Sequence, residues 1–151
     1  MKNILAIDPS GTGSSGICMI GSEITFQQFE SKDWKKHFSL ILNLVKEKSI
    51  ELIIYENTNY ISNDSKHMTG LFKLFGAIEA LTCFFPIIIN FVPVNQVKKL
   101  KEEIRNKRVG IAGLNYQKGK AWSYKNKSIS IHELDAFLIY WIWKGNNYKY
   151  D

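Results

Sequence analysis

Cysteine is scarce in this sequence, and long hydrophobic runs are missing. Two cysteines, Cys18 and Cys83, among 151 residues make neither a disulfide framework nor a zinc site, so we expect both to be reduced core residues. No apolar run reaches the roughly 18 residues that a membrane-spanning helix requires. The first eight residues also lack the apolar stretch and cleavage site of a signal peptide. These absences predict a cytoplasmic protein without a membrane segment.

Acidic residues are outnumbered by basic ones. The chain has 20 Lys and Arg against 14 Asp and Glu, which gives a net charge of +6. Hydrophobic residues at 45% and charged residues at 23% exclude a disordered, collagen-like or coiled-coil chain. The length predicts one domain over residues 1–151. The basic balance suits a nucleic-acid partner.

The hydrophobic periodicity predicts an α/β fold with a mixed sheet. The strands are expected at residues 2–7, 17–20, 24–29, 51–55 and 87–92, and the helices at 33–48, 66–85, 94–106 and 131–144. Residues 107–130 are basic, aromatic and interrupted by glycine, which is more typical of a hairpin or loop than of a helix.

Acidic residues stand at the ends of two predicted strands. Asp8 ends the first strand and Glu56 ends the fourth. If these strands are parallel neighbours joined by a helical crossover, the two carboxylates lie side by side at one sheet edge. Asp135 lies on the last helix with His132 three residues before it, and this spacing puts both on one helix face. We expect that face to meet the Asp8–Glu56 edge.

Asp135 and His132 also have structural interpretations. Asp135 has almost wholly apolar neighbours, and a lone acid there is costly to bury without a partner. A metal is the favoured partner, and a salt bridge to a lysine is the weaker alternative. His132 is favoured as a ligand over a helix cap, whereas Glu133 should point elsewhere. His37 has no acidic or cysteine neighbour at ligand spacing and is expected at the surface.

The chemistry of the acidic cluster points to metal ions. Three carboxylates and an imidazole at one point repel one another unless cations neutralise them. Carboxylate oxygens suit Mg²⁺, and Mn²⁺ also tolerates an imidazole ligand. Two such ions can stabilise both the attacking and the leaving oxygen of an in-line phosphoryl displacement. The cluster therefore predicts phosphodiester hydrolysis.

Several motifs resemble one protein family. Residues 4–10 (ILAIDPS), 53–56 (IIYE) and 132–136 (HELDA) resemble, in this order, the RuvC-type Holliday junction resolvases of the ribonuclease-H-like superfamily. Residues 76–81 and 93–98 are also similar to the middle helix of the family and to the strand-to-helix passage that follows it. The resemblance spans nearly the whole chain and implies a ribonuclease-H-like fold, a five-stranded mixed sheet flanked by helices.

The resemblance also implies an activity. Asp8, Glu56, His132 and Asp135 would be catalytic and would hold two Mg²⁺ ions, with Mn²⁺ able to substitute. The family acts as a homodimer that nicks opposed strands of four-way or branched DNA and leaves 5′-phosphate ends. Residues 105–130 depart from the basic helical stretch usual in the bacterial enzymes, which favours a divergent member from a phage or mobile element.

Hydroxyl, basic and aromatic side chains are candidates for DNA contacts. These are Ser10, Thr12, Ser14, Lys98, Lys118, Lys120, Trp122 and Lys125. The alternatives are that the hydroxyls only shape a turn, that the lysines form a solvated face, and that a strand pair buries the aromatic rings.

Aromatic residues along the second predicted helix exceed what one core needs. Core packing is favoured for most of Phe72, Phe75, Phe84 and Phe85, and some of them are expected to form a dimer face. A ribonuclease H acting on RNA–DNA hybrids needs no such face and is the alternative within the superfamily. A non-catalytic module for branched nucleic acid is a further alternative. An actin-like or sugar-kinase-like ATP-binding protein needs two copies of the fold, and 151 residues hold one.

Overall fold

A five-stranded mixed sheet organises the chain. The computed structural model describes residues 2–58, 65–119 and 121–147, with the backbone alone for 65–67. The sheet has the order β3-β2-β1-β4-β5; β2 is antiparallel to both β1 and β3, whereas β1, β4 and β5 are parallel. The strands are β1 (Asn3–Asp8), β2 (Ser14–Ile20), β3 (Ile24–Glu30), β4 (Ile50–Asn57) and β5 (Ile88–Pro93). The predicted fold class, with β1 and β4 as parallel neighbours, is confirmed.

Four helices cover the two faces of the sheet. They are α1 (Trp34–Lys48), α2 (Ser65–Ala80), α3 (Val94–Arg105) and α4 (Ile131–Asn147). Side chains of β1 alternate between two cores: Leu5 and Ile7 pack with residues of α1 and α2, whereas Ile4 and Ala6 pack with residues of α3 and α4. This alternation follows from the two-residue repeat of a strand, and it decides toward which helices the side chain at each strand end points.

The start of α4 is fixed by a reciprocal cap. The Ser130 hydroxyl accepts a hydrogen bond from the Glu133 amide at 3.1 Å, and the Glu133 carboxylate accepts one from the Ser130 amide at 2.7 Å. This capping box satisfies two amides that the first helical turn leaves without partners. Glu133 therefore holds the helix terminus, in agreement with the expectation that it points away from the acidic cluster.

A small second sheet occupies most of the segment that departs from the family pattern. Its strands β6 (Leu114–Tyr116), β7 (Trp122–Tyr124) and β8 (Lys127–Ile129) are antiparallel, so the prediction of a hairpin or loop is confirmed. Trp122 is only 5% exposed, and its ring lies 4.7 Å from that of Tyr116. The sheet therefore buries its tryptophan against the α3–α4 side of the molecule.

The predicted positions of Cys83 and His37 need correction. Cys18 is buried as predicted, but Cys83 is exposed because α2 ends at Ala80 and a short 3₁₀ turn, Leu81–Cys83, follows it. His37 is only 1% exposed, so its expected surface position is wrong.

Within the described ranges, we find no helix with the length and apolarity needed to cross a bilayer.

Candidate active site

Strand alternation directs two carboxylates toward α4. Ile7 pairs with Tyr55 in the parallel β1–β4 ladder, so Asp8 and Glu56 are the next residues along the two strands. Asp8 is two residues after Ala6 on β1, and Glu56 is two residues after Ile54 on β4; Ala6 and Ile54 both pack in the α3–α4 core. Because side chains alternate along a strand, the two acids point to the same side of the sheet as these core residues. The predicted adjacency at the sheet edge is therefore confirmed, and both acids face the helix that carries the remaining candidates.

The first turn of α4 reaches Asp8. His132 Nδ1 donates a hydrogen bond to Asp8 Oδ2 at 3.1 Å. This contact needs α4 to begin very close to β2, and Gly16 permits it because an added Cβ there would overlap the backbone carbonyl of His132. The expected meeting between the α4 face and the Asp8 edge is thus confirmed in its geometry, whereas the catalytic roles stay a prediction.

Asp135 has a lysine partner. Lys101 on α3 places its ammonium nitrogen 2.5 Å from Asp135 Oδ1, and both side chains are less than one-fifth exposed. The salt bridge that the sequence indicated as the weaker alternative is therefore present. An ion bound at Asp135 would compete with Lys101 for the charge of this carboxylate.

Two acids of the cluster, Asp8 and Glu56, resist ionisation. Burial raises the pKa of Asp8, and the nearby Asp135 charge raises it further, although the His132 hydrogen bond opposes both effects. Burial, followed by repulsion from Asp8 and Asp135, raises the pKa of Glu56 to about 8. The hydrogen bond to Asp8 raises the pKa of His132. Burial is therefore the main reason why the charged forms of Asp8 and Glu56 are costly.

These side chains fit divalent cations by their chemistry. Carboxylate oxygens are ligands that Mg²⁺ accepts, and Mn²⁺ also accepts an imidazole nitrogen. As placed, no three acidic, histidine or cysteine side chains in the described part of the chain are grouped to hold a metal. Binding to Asp135 requires the Lys101 ammonium to move away from the carboxylate.

The raised pKa of Glu56 predicts a pH-dependent stability. Its ordinary pKa is 4.5 and its folded-state pKa is about 8, so the folded state binds this proton more tightly than the unfolded state. Without metal, stability should fall as pH rises from 4.5 to about 8 and then level off. Glu56→Gln removes this loss, so we expect its Tm at pH 8 to exceed that of the wild type by at least about 2–4 °C.

The control for this measurement is Glu23→Gln, which removes an exposed acid at the far end of the sheet. We expect its thermal unfolding profile to follow that of the wild type from pH 5 to pH 9 in chelator. Equal pH profiles for Glu56→Gln and the wild type would contradict the assigned electrostatics of the site.

The predicted phosphate contacts lie in and beside the loop after Asp8. The Ser10 hydroxyl accepts a hydrogen bond from the Gly13 amide at 2.8 Å, so it shapes the turn. Thr12 follows Gly11 in this loop, whose backbone packs against that of Gly70 and Leu71 on α2. Ser14 begins β2. These positions are next to Asp8 in the chain, and DNA contact stays a prediction for them.

The lysines and the tryptophan that are predicted to contact DNA lie in different parts of the structure. Lys98 is exposed, and its charge lowers the pKa of Glu56, so it lies near the cluster. Lys118 lies in the turn after β6. This turn is at the end of the small sheet where Trp122 pairs with Ile129, and Ile129 comes just before α4 in the chain. The burial of Trp122 removes its ring from the accessible surface. Lys120 lies outside the described residues.

Lys125 lies at the other end of the small sheet. It precedes β8 in the β7–β8 turn and, together with Lys127, lines a groove against residues 20–24. Ile20 pairs with Ile4 at the start of β1, so this groove is at the opposite end of the main sheet from Asp8. Lys125 is therefore separated from the acidic cluster by the length of the strands.

Two polar residues lie on inner helix faces where the sequence did not place them, the partly buried Lys101 and the buried His37. Lys101 stands four residues after Val97 and three before Ile104, which are both buried, so it lies on the apolar face of an amphipathic helix. His37 stands four residues before the buried Ile41 on the inner face of α1. A titratable group on the apolar stripe of a helix is the signal that could have identified both.

The order and direction of the strands define the class of fold. A mixed sheet in the order β3-β2-β1-β4-β5 flanked by helices is the ribonuclease-H-like arrangement. No protein-family model matches the chain, and no curated protein matches it by sequence. The relationship is visible in three-dimensional structure.

Solved structures with this fold include several Holliday junction resolvases. RuvC of Thermus thermophilus, in complex with a Holliday junction substrate, has a TM-score of 0.67 at 16% identity over 92% of this chain and 90% of that one. The fowlpox virus resolvase, in complex with Holliday junction DNA, has a TM-score of 0.55 at 13% identity over 97% and 99%. The yeast mitochondrial resolvase Ydc2 has a TM-score of 0.50 at 13% identity over 91% and 75%. The chain therefore has the fold of the RuvC-type resolvases within the ribonuclease-H-like superfamily.

Proposed function

We propose that this protein is a metal-dependent endonuclease that nicks opposed strands of four-way or branched DNA. The observation that supports the proposal is the hydrogen bond between Asp8 and His132, together with the charge interactions that link Asp8, Glu56 and Asp135. The resolvases that share this fold were solved with Holliday junction DNA, which supports the same substrate class here.

The four side chains would hold two Mg²⁺ ions, with Mn²⁺ able to substitute. Ions bound there would favour deprotonation of an attacking water and would stabilise the leaving 3′ oxygen, which would yield 5′-phosphate ends. Asp8 contacts His132 and interacts with the charge of Glu56, so it would be the central ligand. The His132 Nδ1 hydrogen bond fixes the orientation of the Asp8 carboxylate. Lys101 keeps Asp135 paired until it is displaced.

The substrate class is tested by cleavage of end-labelled DNA in Mg²⁺, Mn²⁺ and chelator. We expect cleavage of a synthetic four-way junction with either metal, none in chelator, and little or none of the matched linear duplex. Cleavage of an RNA–DNA hybrid alone would identify a ribonuclease H. Junction binding without cleavage in either metal would identify a non-catalytic module.

A basic groove beside the cluster is the proposed path for the DNA backbone. Arg105 lies one helical turn after Lys101 on α3, and its guanidinium stacks 5.7 Å from the Tyr116 ring centre and 5.9 Å from that of Trp122. The cavity next to this stack has a volume of about 560 Å³. Its lining residues are Arg105, Asn106, Lys107, Tyr116, Gln117 and Lys118. The lining carries three basic side chains, and among these described residues none is acidic.

Removing two of these charges predicts weaker binding and a smaller salt dependence. Arg105→Ala with Lys118→Ala should lower junction affinity, because each lost phosphate contact reduces the slope of log K against log salt by about 0.9. The double variant should therefore lose a slope of about 2. The measurement is junction affinity in chelator at four or more salt concentrations.

The matched control removes two lysines at the opposite end of the small sheet. Lys125→Ala with Lys127→Ala changes the net charge equally but alters the groove against residues 20–24. We expect its salt slope to stay close to that of the wild type. An equal loss of slope in both double variants would show that net charge, and not the groove near Lys118, governs binding.

An exposed aromatic surface is the proposed dimer face. Phe75 lies in the core, where its ring is 5.2 Å from that of Tyr55, but the same aromatic cluster continues outward to Phe72 and Phe91. These two side chains are 42% and 57% exposed. Large apolar side chains grouped at a surface indicate an interface.

Charge introduced at this face should separate the dimer. Phe91→Glu is expected to raise the dimer Kd by about tenfold or more, because it removes a central aromatic contact, as measured by sedimentation equilibrium. Val109→Glu alters an exposed apolar side chain elsewhere and is the control. A wild-type chain that stays monomeric at micromolar concentration, or a dimer unaffected by Phe91→Glu, would contradict the assignment.

A further inference from the structure

A histidine and a serine form a buried hydrogen-bonded pair beneath the loop that follows Asp8. His37 on α1 is 1% exposed and Ser15 on β2 is 2% exposed, and they are the two buried polar side chains among the described residues. His37 Nδ1 and the Ser15 oxygen are 2.9 Å apart. Buried polar groups of this kind are costly unless their hydrogen bonds are satisfied, so the pair needs an explanation.

The surrounding acceptors fix where each proton lies. His37 Nε2 is 2.8 Å from the backbone carbonyl of Ser31, which can only accept, so Nε2 carries the proton and donates it. In the neutral imidazole Nδ1 then accepts the hydrogen bond that the Ser15 hydroxyl donates. The Ser15 oxygen in turn accepts the Ser10 amide at 2.9 Å. The Ser10 carbonyl is a second acceptor near the Ser15 hydroxyl, but at 3.4 Å it is farther away than His37 Nδ1 at 2.9 Å. With the hydroxyl proton on the shorter contact, the chain runs from the Ser10 amide through Ser15 and His37 to Ser31.

This chain ends in the loop beside the catalytic candidates. Ser10 is two residues after Asp8, and its hydroxyl accepts the amide of Gly13 at 2.8 Å. The Gly13 carbonyl accepts the amide of Ser31 at 3.1 Å, so the loop is tied to the segment before α1 at two points. His37 contacts neither Asp8 nor the other acids in any described hydrogen bond, and it acts on the loop through Ser15.

We propose that His37 is a positioning residue, which acts through Ser15 to hold the loop of residues 9–14 in the conformation that the nuclease reaction requires. The proposal rests on the endonuclease function proposed above. It assigns the imidazole a directional role: Nδ1 must accept from Ser15, and Nε2 must donate to Ser31. A misplacement of about 1 Å in a catalytic site can lower a rate by roughly 100-fold, so this indirect contact carries a large expected effect.

Core packing is the competing explanation for His37. Its ring packs edge-on against Phe29 with ring centres 5.1 Å apart, as an apolar side chain also could. Two amide variants separate the explanations. In His37→Asn the side-chain oxygen takes the place of Nδ1 and can accept from Ser15. In His37→Gln the amide nitrogen takes the place of Nε2 and can donate to Ser31, but residue 37 then offers Ser15 no acceptor, which leaves its hydroxyl only the longer contact to the Ser10 carbonyl.

The two explanations predict opposite orders for these variants. Asn leaves the larger cavity, so a packing role makes His37→Asn the worse variant. The positioning role makes His37→Gln the worse one. We expect His37→Gln to lower the single-turnover cleavage rate by about 10–100-fold, and His37→Asn to stay within about threefold of the wild type. Junction affinity in chelator should change little in both, because the basic groove is intact.

A second readout does not depend on cleavage. Exchange of the Ser10 amide hydrogen, followed by NMR, reports whether Ser15 still holds the loop. We expect faster exchange in His37→Gln and in Ser15→Ala than in His37→Asn, with Tm measured for all three. Equal exchange in the Asn and Gln variants, or faster exchange in Asn, would overturn the proposal. If the wild type cuts no branched DNA, the endonuclease function fails, and the exchange order alone then decides whether His37 holds the loop.

Discussion

Asp8→Asn should remove junction cleavage while preserving junction binding. The substitution keeps the shape of the side chain but removes the charge of the carboxylate that lies between His132 and Glu56. Loss of a direct metal ligand should exceed the roughly 10–100-fold effect of substituting outer-shell partners. We therefore expect a decrease of more than about 100-fold in single-turnover rate with Mg²⁺ or Mn²⁺. Junction affinity in chelator should stay near that of the wild type.

The stability of this variant distinguishes a chemical effect from unfolding. Burial raises the pKa of Asp8 and penalises its charged form, so a neutral amide should leave Tm at pH 8 unchanged or higher. Glu23→Gln, at the other end of the sheet, is the matched control and should cut at the wild-type rate. Cleavage by Asp8→Asn within tenfold of the wild type would exclude this carboxylate from the reaction.

Gly16→Ala should be the most damaging single methyl addition to the fold. An added Cβ at this position overlaps the backbone carbonyl of His132, and a backbone atom cannot move aside as a flexible side chain can. Overpacking of this kind costs about 1–3 kcal/mol and occasionally more, and this contact lies at the upper end of that range. We expect the free energy of unfolding to fall by about 3 kcal/mol, with loss of cleavage because α4 carries His132 and Asp135.

Gly76→Ala is the control for this prediction. Gly76 lies within α2, and an added Cβ there meets no described atom within 4 Å. Alanine is favoured over glycine inside a helix by roughly 0.5–1 kcal/mol, so this variant should be slightly more stable. Urea denaturation of both variants measures the difference. Equal stabilities would contradict the close packing of α4 against β2.

Local patterns were sufficient to predict much of the site. Asp8 and Glu56 each end a short apolar strand, and a helix between two strands makes a parallel pair the expected arrangement. The three-residue spacing of His132 and Asp135 fixes a common helix face in any α-helix. These inferences depend on periodicity and chain connection, which the sequence contains.

The remaining features depend on packing between segments that are distant in the chain. The Lys101–Asp135 pair joins α3 to α4, and the sequence offers several lysines that could have served. His37 can be buried because Ser15 and Ser31 provide its two hydrogen-bond partners. Neither serine is at a sequence spacing from His37 that would predict the contact. Trp122 is buried because Tyr116 and Arg105 cover it, a stacking that requires the three-dimensional position of α3.

Cleavage of a supercoiled plasmid that extrudes a cruciform tests the central claim most directly. The proposed dimer would have two sites built around Asp8 and would nick opposed strands in one binding event, so linear DNA should form directly in Mg²⁺ and be absent in chelator. Asp8→Asn should leave the plasmid supercoiled. Plasmid that stays supercoiled with the wild-type protein in both Mg²⁺ and Mn²⁺, although the protein binds the cruciform, would contradict the account.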